Sequence, residues 1–226
     1  MRPKRHIAIS YIGFLAATIC LVGFELRAYE VPLSPQSIHE AYELGQRNDH
    51  ATSDFVSPYV KQVSATGADG PRQADIQILT PYSQIVDESR RNPPGYSEEQ
   101  AIKNYHQRGN TVMVSVVLFF TSAYPKQHDN STAATTPCKV PALQPESFWQ
   151  NFRFVVKQRG KILALRSIGH EPVYSSQAGN EASVLDGAKV VLELAAQDVA
   201  SETATVEITT PACKLITATF DLKDLR

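Results

Sequence analysis

The chain has 226 residues, 42% of them hydrophobic and 20% charged, a globular balance that excludes disorder along its whole length. Lys and Arg number 22 against 23 Asp and Glu. The strongly basic footprint that nucleic-acid binding needs is therefore missing, and no nucleic-acid partner is expected.

Met1-Arg2-Pro3-Lys4-Arg5-His6 leads into an uncharged apolar run from Ile7 to Phe24, and a basic flank before such a run is an export signal. A helix over residues 7–24 would rise about 27 Å, close to the hydrocarbon thickness of a bilayer. A cleaved signal has a shorter apolar region, about 7 to 15 residues. Length thus favours an uncleaved membrane anchor, and Leu26-Arg27-Ala28 before Tyr29 leaves cleavage as the alternative. Arg2, Lys4 and Arg5 hold the N-terminus in the cytoplasm, which puts everything from about Tyr29 onward outside. The organisation expected is a signal peptide or anchor over 1–28 and one exported domain over 29–226. Within that domain a helical hairpin over 29–72 precedes a β-rich body over 73–226.

Ser34-Pro35 reads as a helix start, with Ile38, Ala41 and Tyr42 at helical spacing and Gly45 as the stop. A second helix is expected over 53–63, with Phe55, Val56, Tyr59, Val60 and Val63 on one face and Pro58 tolerated in its first turns. The third is the best marked. Ser97-Glu98-Glu99-Gln100 is a capping box, Ala101, Ile102 and Tyr105 form the apolar stripe, and Gly109 ends a helix of about 97–108. The run Ala41-Tyr42-Glu43-Leu44-Gly45-Gln46-Arg47, followed by Tyr59, resembles the opening of uncharacterised exported bacterial proteins, in which an Ala-Tyr-x-Leu-Gly-x-Arg helix precedes a β-rich part. The resemblance covers about a fifth of the chain through Tyr42, Gly45, Arg47 and Tyr59 and implies a bacterial envelope, with no activity attached. The exported domain would then stand on the periplasmic face of the inner membrane if anchored, or be soluble in the periplasm or secreted if cleaved.

Strand signals dominate the remainder. Residues 75–80 alternate, Thr111 to Phe120 is a nearly continuous β-branched and aromatic run typical of a central strand, and Phe152, Phe154 and Val156 alternate before a turn at 158–161 into Ile162 to Leu165. Residues 190–194, 203–208 and 215–222 read as three consecutive strands paired antiparallel. No long helix follows Gly109, so the fold class expected is mainly β with α (α+β): an antiparallel β-sandwich or bent sheet preceded by short helices. Residues 64–72 and 124–145 read as loops, the second long, Pro-rich and a first place to seek binding, with a sequon pattern at Asn130-Ser131-Thr132. Gly179 to Lys189 reads as a turn.

Setting Cys20 aside with the apolar segment leaves Cys138 and Cys213, a pair expected to bond in an oxidising compartment. The bond would close a loop of about 75 residues and add about 4 kcal/mol in the chain-entropy model. The sequence carries no phosphate-cradling loop, dinucleotide fingerprint or Gly-x-Ser-x-Gly. His39 and Glu43 share a helix face at i and i+4, yet the second His of a zinc-peptidase helix is replaced by Glu43. Asp49-His50 and His170-Glu171 read as surface polar pairs, the latter in a strand-end loop. The expectation is a non-catalytic binding or scaffolding module, with no cofactor or resident metal, whose partner is an envelope protein or small ligand. Tyr82, Tyr96 and Tyr124 are candidate exposed aromatics. Two rivals are a metal-dependent or acid-base enzyme using His39, Glu43, His50 and Asp54, and a small-ligand carrier with an apolar pocket between helices and sheet.

Overall fold

The computed structural model describes residues 29–64, 71–92, 95–120, 148–176, 183–223 and 225–226. The apolar run 7–24, Tyr124, the sequon, Cys138 and all of the long Pro-rich loop 124–145 lie outside these. Among the described residues no helix is long and apolar enough to cross a membrane.

The fold is α+β with antiparallel sheets. Helices α1 (Pro35–Arg47), α2 (His50–Val56), α3 (Pro81–Arg91) and α4 (Glu98–Arg108) interleave with β1 (Val60–Ser64), β2 (Pro71–Leu79) and β3 (Thr111–Phe120). Six strands follow: β4 (Arg153–Gln158), β5 (Lys161–Ile162), β6 (Leu165–Ser176), β7 (Ser183–Ala195), β8 (Thr203–Thr209) and β9 (Leu215–Asp221). They build a five-stranded sheet of order β1-β2-β3-β7-β6 and a four-stranded one of order β5-β4-β8-β9. The β-branched run of β3 takes the centre of the larger sheet, as its composition predicts. Ile76, Val114, Val116, Val190 and Leu192 from that sheet share one core with Val156, Val206, Ile208 and Phe220 from the other.

The C-terminal strands do not pair as three in a row. β8 pairs β9, but β7 joins β3 and β6 in the other sheet. Apolar residues alternate along all three, and alternation fixes which face is buried without choosing the neighbour. The hairpin at 158–161 does form, with Arg159 and Gly160 at φ 49° and 74°, the positive angles a tight two-residue turn needs. His170 and Glu171 lie within β6 rather than in a loop, and Lys189 lies in β7 rather than in a turn. Cys213 occupies the β8–β9 turn at φ 58°.

The helices form a smaller core of their own, with Ile38, Ala41, Val56, Ile85, Val86, Ala101 and Tyr105. Ser34, Thr80 and Ser97 cap α1, α3 and α4, each accepting from a backbone N–H three residues on. Only half of the capping box operates, because the Gln100 amide donates to Asn104 at 2.7 Å instead of turning back. Gly45 does not stop α1, which runs on to Arg47 and ends at Asn48 with φ 43°. The expected second helix is a short helix, a 3-10 turn at Ser57–Tyr59 and the strand β1. Pro58 marks the break: it has no N–H to continue the helical ladder, although Ser57 before it keeps helical angles at φ −51° and ψ −46°. No simple hairpin of two helices results, because α1 packs chiefly on α3, which the sequence expectation omitted. Tyr82 is buried within this layer rather than exposed.

A cluster around Arg226 ties the helical layer to the sheets. The Tyr59 hydroxyl donates to the Arg226 carbonyl at 3.1 Å and accepts from its N–H at 3.0 Å. Thr80 donates to the same carbonyl. The Arg226 guanidinium lies 4.5 Å above the Tyr82 ring and 2.6 Å from Glu40. Burial pushes the Tyr59 phenol up from 10.0 to about 12. A phenol whose folded value is raised stabilises the fold fully below pH 10, where both states are neutral, and that contribution drains away as pH rises from 10 through 12. Urea midpoints measured from pH 8 to pH 11.5 are therefore expected to hold level and then fall. Tyr59→Phe is expected to make the alkaline fall shallower, Tyr82 and Tyr96 keeping the rest of it, while lowering the neutral-pH stability by about 1 kcal/mol for the lost hydroxyl bonds. An alkaline slope unchanged in the variant would contradict this assignment.

Candidate functional site

The four residues singled out for a metal or acid-base site do not converge. His39 Nδ1 lies 3.1 Å from Glu98 Oε2 at the start of α4, and His50 Nδ1 lies 2.7 Å from Asp54 Oδ2 on α2. Both pairs are exposed. No group of three or more His, Cys, Asp or Glu placed to hold a metal occurs among the described residues.

A concavity is found elsewhere, between α3 and the face of the five-stranded sheet opposite its core. Strand register builds the floor. Gln77, Ser115 and Val191 are paired neighbours in one row across β2, β3 and β7, and Leu79 with Met113 leads the next row. Asp75, Val117, Lys189 and Glu171 form the row on the other side. Gln84, Asp87, Glu88 and Arg91 line it from α3, and Arg108 lines it from the last turn of α4. The resulting cleft is open and holds about 190 Å³.

A chain of hydrogen bonds fixes its wall to the sheet. The buried Gln84 amide donates to the carbonyls of Leu79 at 3.1 Å and Thr111 at 2.7 Å, at facing ends of β2 and β3. Its oxygen accepts from Arg108 Nη1 at 2.9 Å, and Arg108 Nη2 meets Glu88 at 2.7 Å. Glu88 also accepts from the Tyr96 hydroxyl at 3.0 Å. Burial, and then the Glu88 carboxylate itself, push the Tyr96 phenol up to about 12, so Tyr96 stays a neutral donor. Tyr96 thus serves within this network rather than as a free exposed aromatic. Asp87, nearly buried, holds Arg91 at 2.7 Å and Arg90 at 3.2 Å.

The cleft lies between helices and sheet, where the ligand-carrier rival would place an apolar pocket, and its lining mixes charged groups with Leu79, Met113 and Val191. The sequence expectation missed its residues because they come from five elements. Thr80-Pro81, the same cap-and-proline signature as Ser34-Pro35, was the available signal for α3. No family model matches the chain, and no match is found among curated proteins or solved structures.

Proposed function

We propose that the chain is an exported envelope protein, tethered through residues 7–24 or released by cleavage near Tyr29, whose folded part is a non-catalytic binding or scaffolding module. The observation that carries this reading is the cleft over the Gln77–Ser115–Val191 row. Its floor is the middle of a sheet and its wall is locked to that sheet through Gln84, the rigid support that a binding site needs. At about 190 Å³ it is smaller than the roughly 300–1,000 Å³ of pockets that enclose a drug-sized ligand. That size suits a small polar molecule or one side chain of a partner. The same proposal includes packing of the two sheets as a β-sandwich and pairing of Cys138 with Cys213, which suits an oxidising compartment.

The test expresses the full chain with a photo-cross-linking residue at Gln77, fractionates the cells and records intact mass with and without reductant. The product is expected outside the cytoplasm, either full length in the membrane or soluble and beginning near Tyr29. Before reduction it should be lighter by about two daltons, the hydrogens lost on forming one disulfide. An adduct should form at Gln77 and disappear when Ser115→Trp fills the floor. A soluble cytoplasmic product would sink the export reading. Absence of any adduct would sink the cleft, and turnover of an envelope substrate abolished by one substitution would sink the non-catalytic reading.

A further inference from the structure

Three cations, Arg91, Arg108 and Lys189, line the cleft with Asp87 and Glu88, and the third carboxylate that balances them, Glu171, stands outside the lining beside Lys189. Arg108 is 16% exposed and committed to Glu88 and Gln84. Asp87 serves two guanidiniums at once, those of Arg90 and Arg91. Lys189 is the least satisfied of the three. Its ion pair with Glu171 is 3.4 Å long, and Glu171 is 70% exposed against 30% for Lys189. A pair with so exposed a partner is worth about 0–1 kcal/mol. Glu171 therefore gives way at little cost to a better-placed anion.

From this we infer that the cleft binds a single carboxylate group, with Lys189 as its principal ion-pair partner and Arg91 on the facing wall. The inference rests on the binding reading above and names its ligand class. Charge favours the class: once Glu171 turns out to solvent, three lining cations face two carboxylates, a surplus of one that matches a monoanionic carboxylate and leaves a phosphate dianion under-neutralised. Chemistry on the floor agrees. The Ser115 hydroxyl and Gln77 amide offer neutral donors one row from Lys189, and Met113 and Val191 accept a short aliphatic stem. The carboxylate arrives either on a small dicarboxylic acid or on an Asp or Glu side chain of a protein partner.

Calorimetric titration of the full chain in detergent micelles separates these sources, using succinate, a blocked tetraglutamate peptide and the neutral control succinamide. Saturable binding of succinate points to the free acid, and binding of the peptide alone points to an acidic protein segment. Either supports the inference if Lys189→Met weakens it at least about tenfold, the loss expected for a charge-assisted hydrogen bond, and Lys189→Arg restores it. The melting temperature of each variant shows that the fold is kept. Failure of both carboxylates to bind, or equal binding by Lys189→Met, overturns the inference. Succinamide binding as tightly as succinate also overturns it, yet leaves a binding cleft in place. The Gln77 adduct tests that broader reading independently.

Discussion

Gly187→Ala is expected to cost about 3 kcal/mol or more and to lower the melting temperature by roughly 6–12 °C. Gly187 lies in β7 opposite Phe119 of β3 and Val173 of β6. A Cβ there would stand 2.0 Å from the Leu118 carbonyl oxygen and 3.1 Å from its carbon. Both are backbone atoms of the central strand, so no rotamer change relieves the clash. β3 is itself bonded to β2, and pushing it away breaks two ladders at once. Removing glycine from a strand interior ordinarily gains about 0.5–1 kcal/mol, well short of that loss. Gly169→Ala is the matched control, since nothing lies within 4 Å of its added Cβ. Urea unfolding of the two variants should give a large loss for the first and none for the second. Equal midpoints would mean that β7 does not approach β3 as closely as Gly187 requires.

What the sequence made legible follows the reach of each signal. The β3 strand and α4 were readable because a β-branched run and a capped apolar stripe act within their own segments. Pairing was not readable. β7 and β8 alternate alike, and only the shape of the assembled core sends one to the five-stranded sheet and the other to the four-stranded sheet. By sequence Pro58 is tolerable in the first turns of a helix over 53–63. It instead lies in the 3-10 turn between α2 and β1, where its missing N–H breaks the helical ladder and Tyr59 turns inward to Arg226.

The candidate site was less legible still. His39 and Glu43 match the local spacing of a catalytic motif, yet each lies on an exposed helix surface. Lys189, Arg108, Gln84 and Ser115 carry no motif, since they are spaced by strand register and helix crossing rather than by any interval along the chain. Gln84 is the instructive case. A buried glutamine is costly unless its amide is satisfied, and here both ends are used, which is why one polar residue fixes the cleft wall.

Gly45→Ala brings propensity and packing into direct opposition. Inside a helix, alanine is favoured over glycine by about 1 kcal/mol, so propensity alone would make the change stabilising. In the structure a Cβ at Gly45 would meet Ser89 Cβ and the Val86 carbonyl oxygen of α3, each at 2.5 Å. Overpacking of this kind costs about 1–3 kcal/mol and sometimes more. With one partner a backbone carbonyl, the upper part of that range applies, so a net loss of about 2 kcal/mol is expected. Ser89→Gly in the same chain removes one of the two contacts and should recover part of the loss, whereas Ser89→Gly alone should not stabilise. The displacement also reaches the site, because the helix that must retreat carries Gln84, Asp87 and Glu88 on its sheet-facing side. Carboxylate affinity measured well below the melting transition should therefore fall in Gly45→Ala and return with Ser89→Gly. Unchanged stability would mean that α1 and α3 do not meet at Gly45, and lost stability with unchanged affinity would uncouple the helix contact from the cleft.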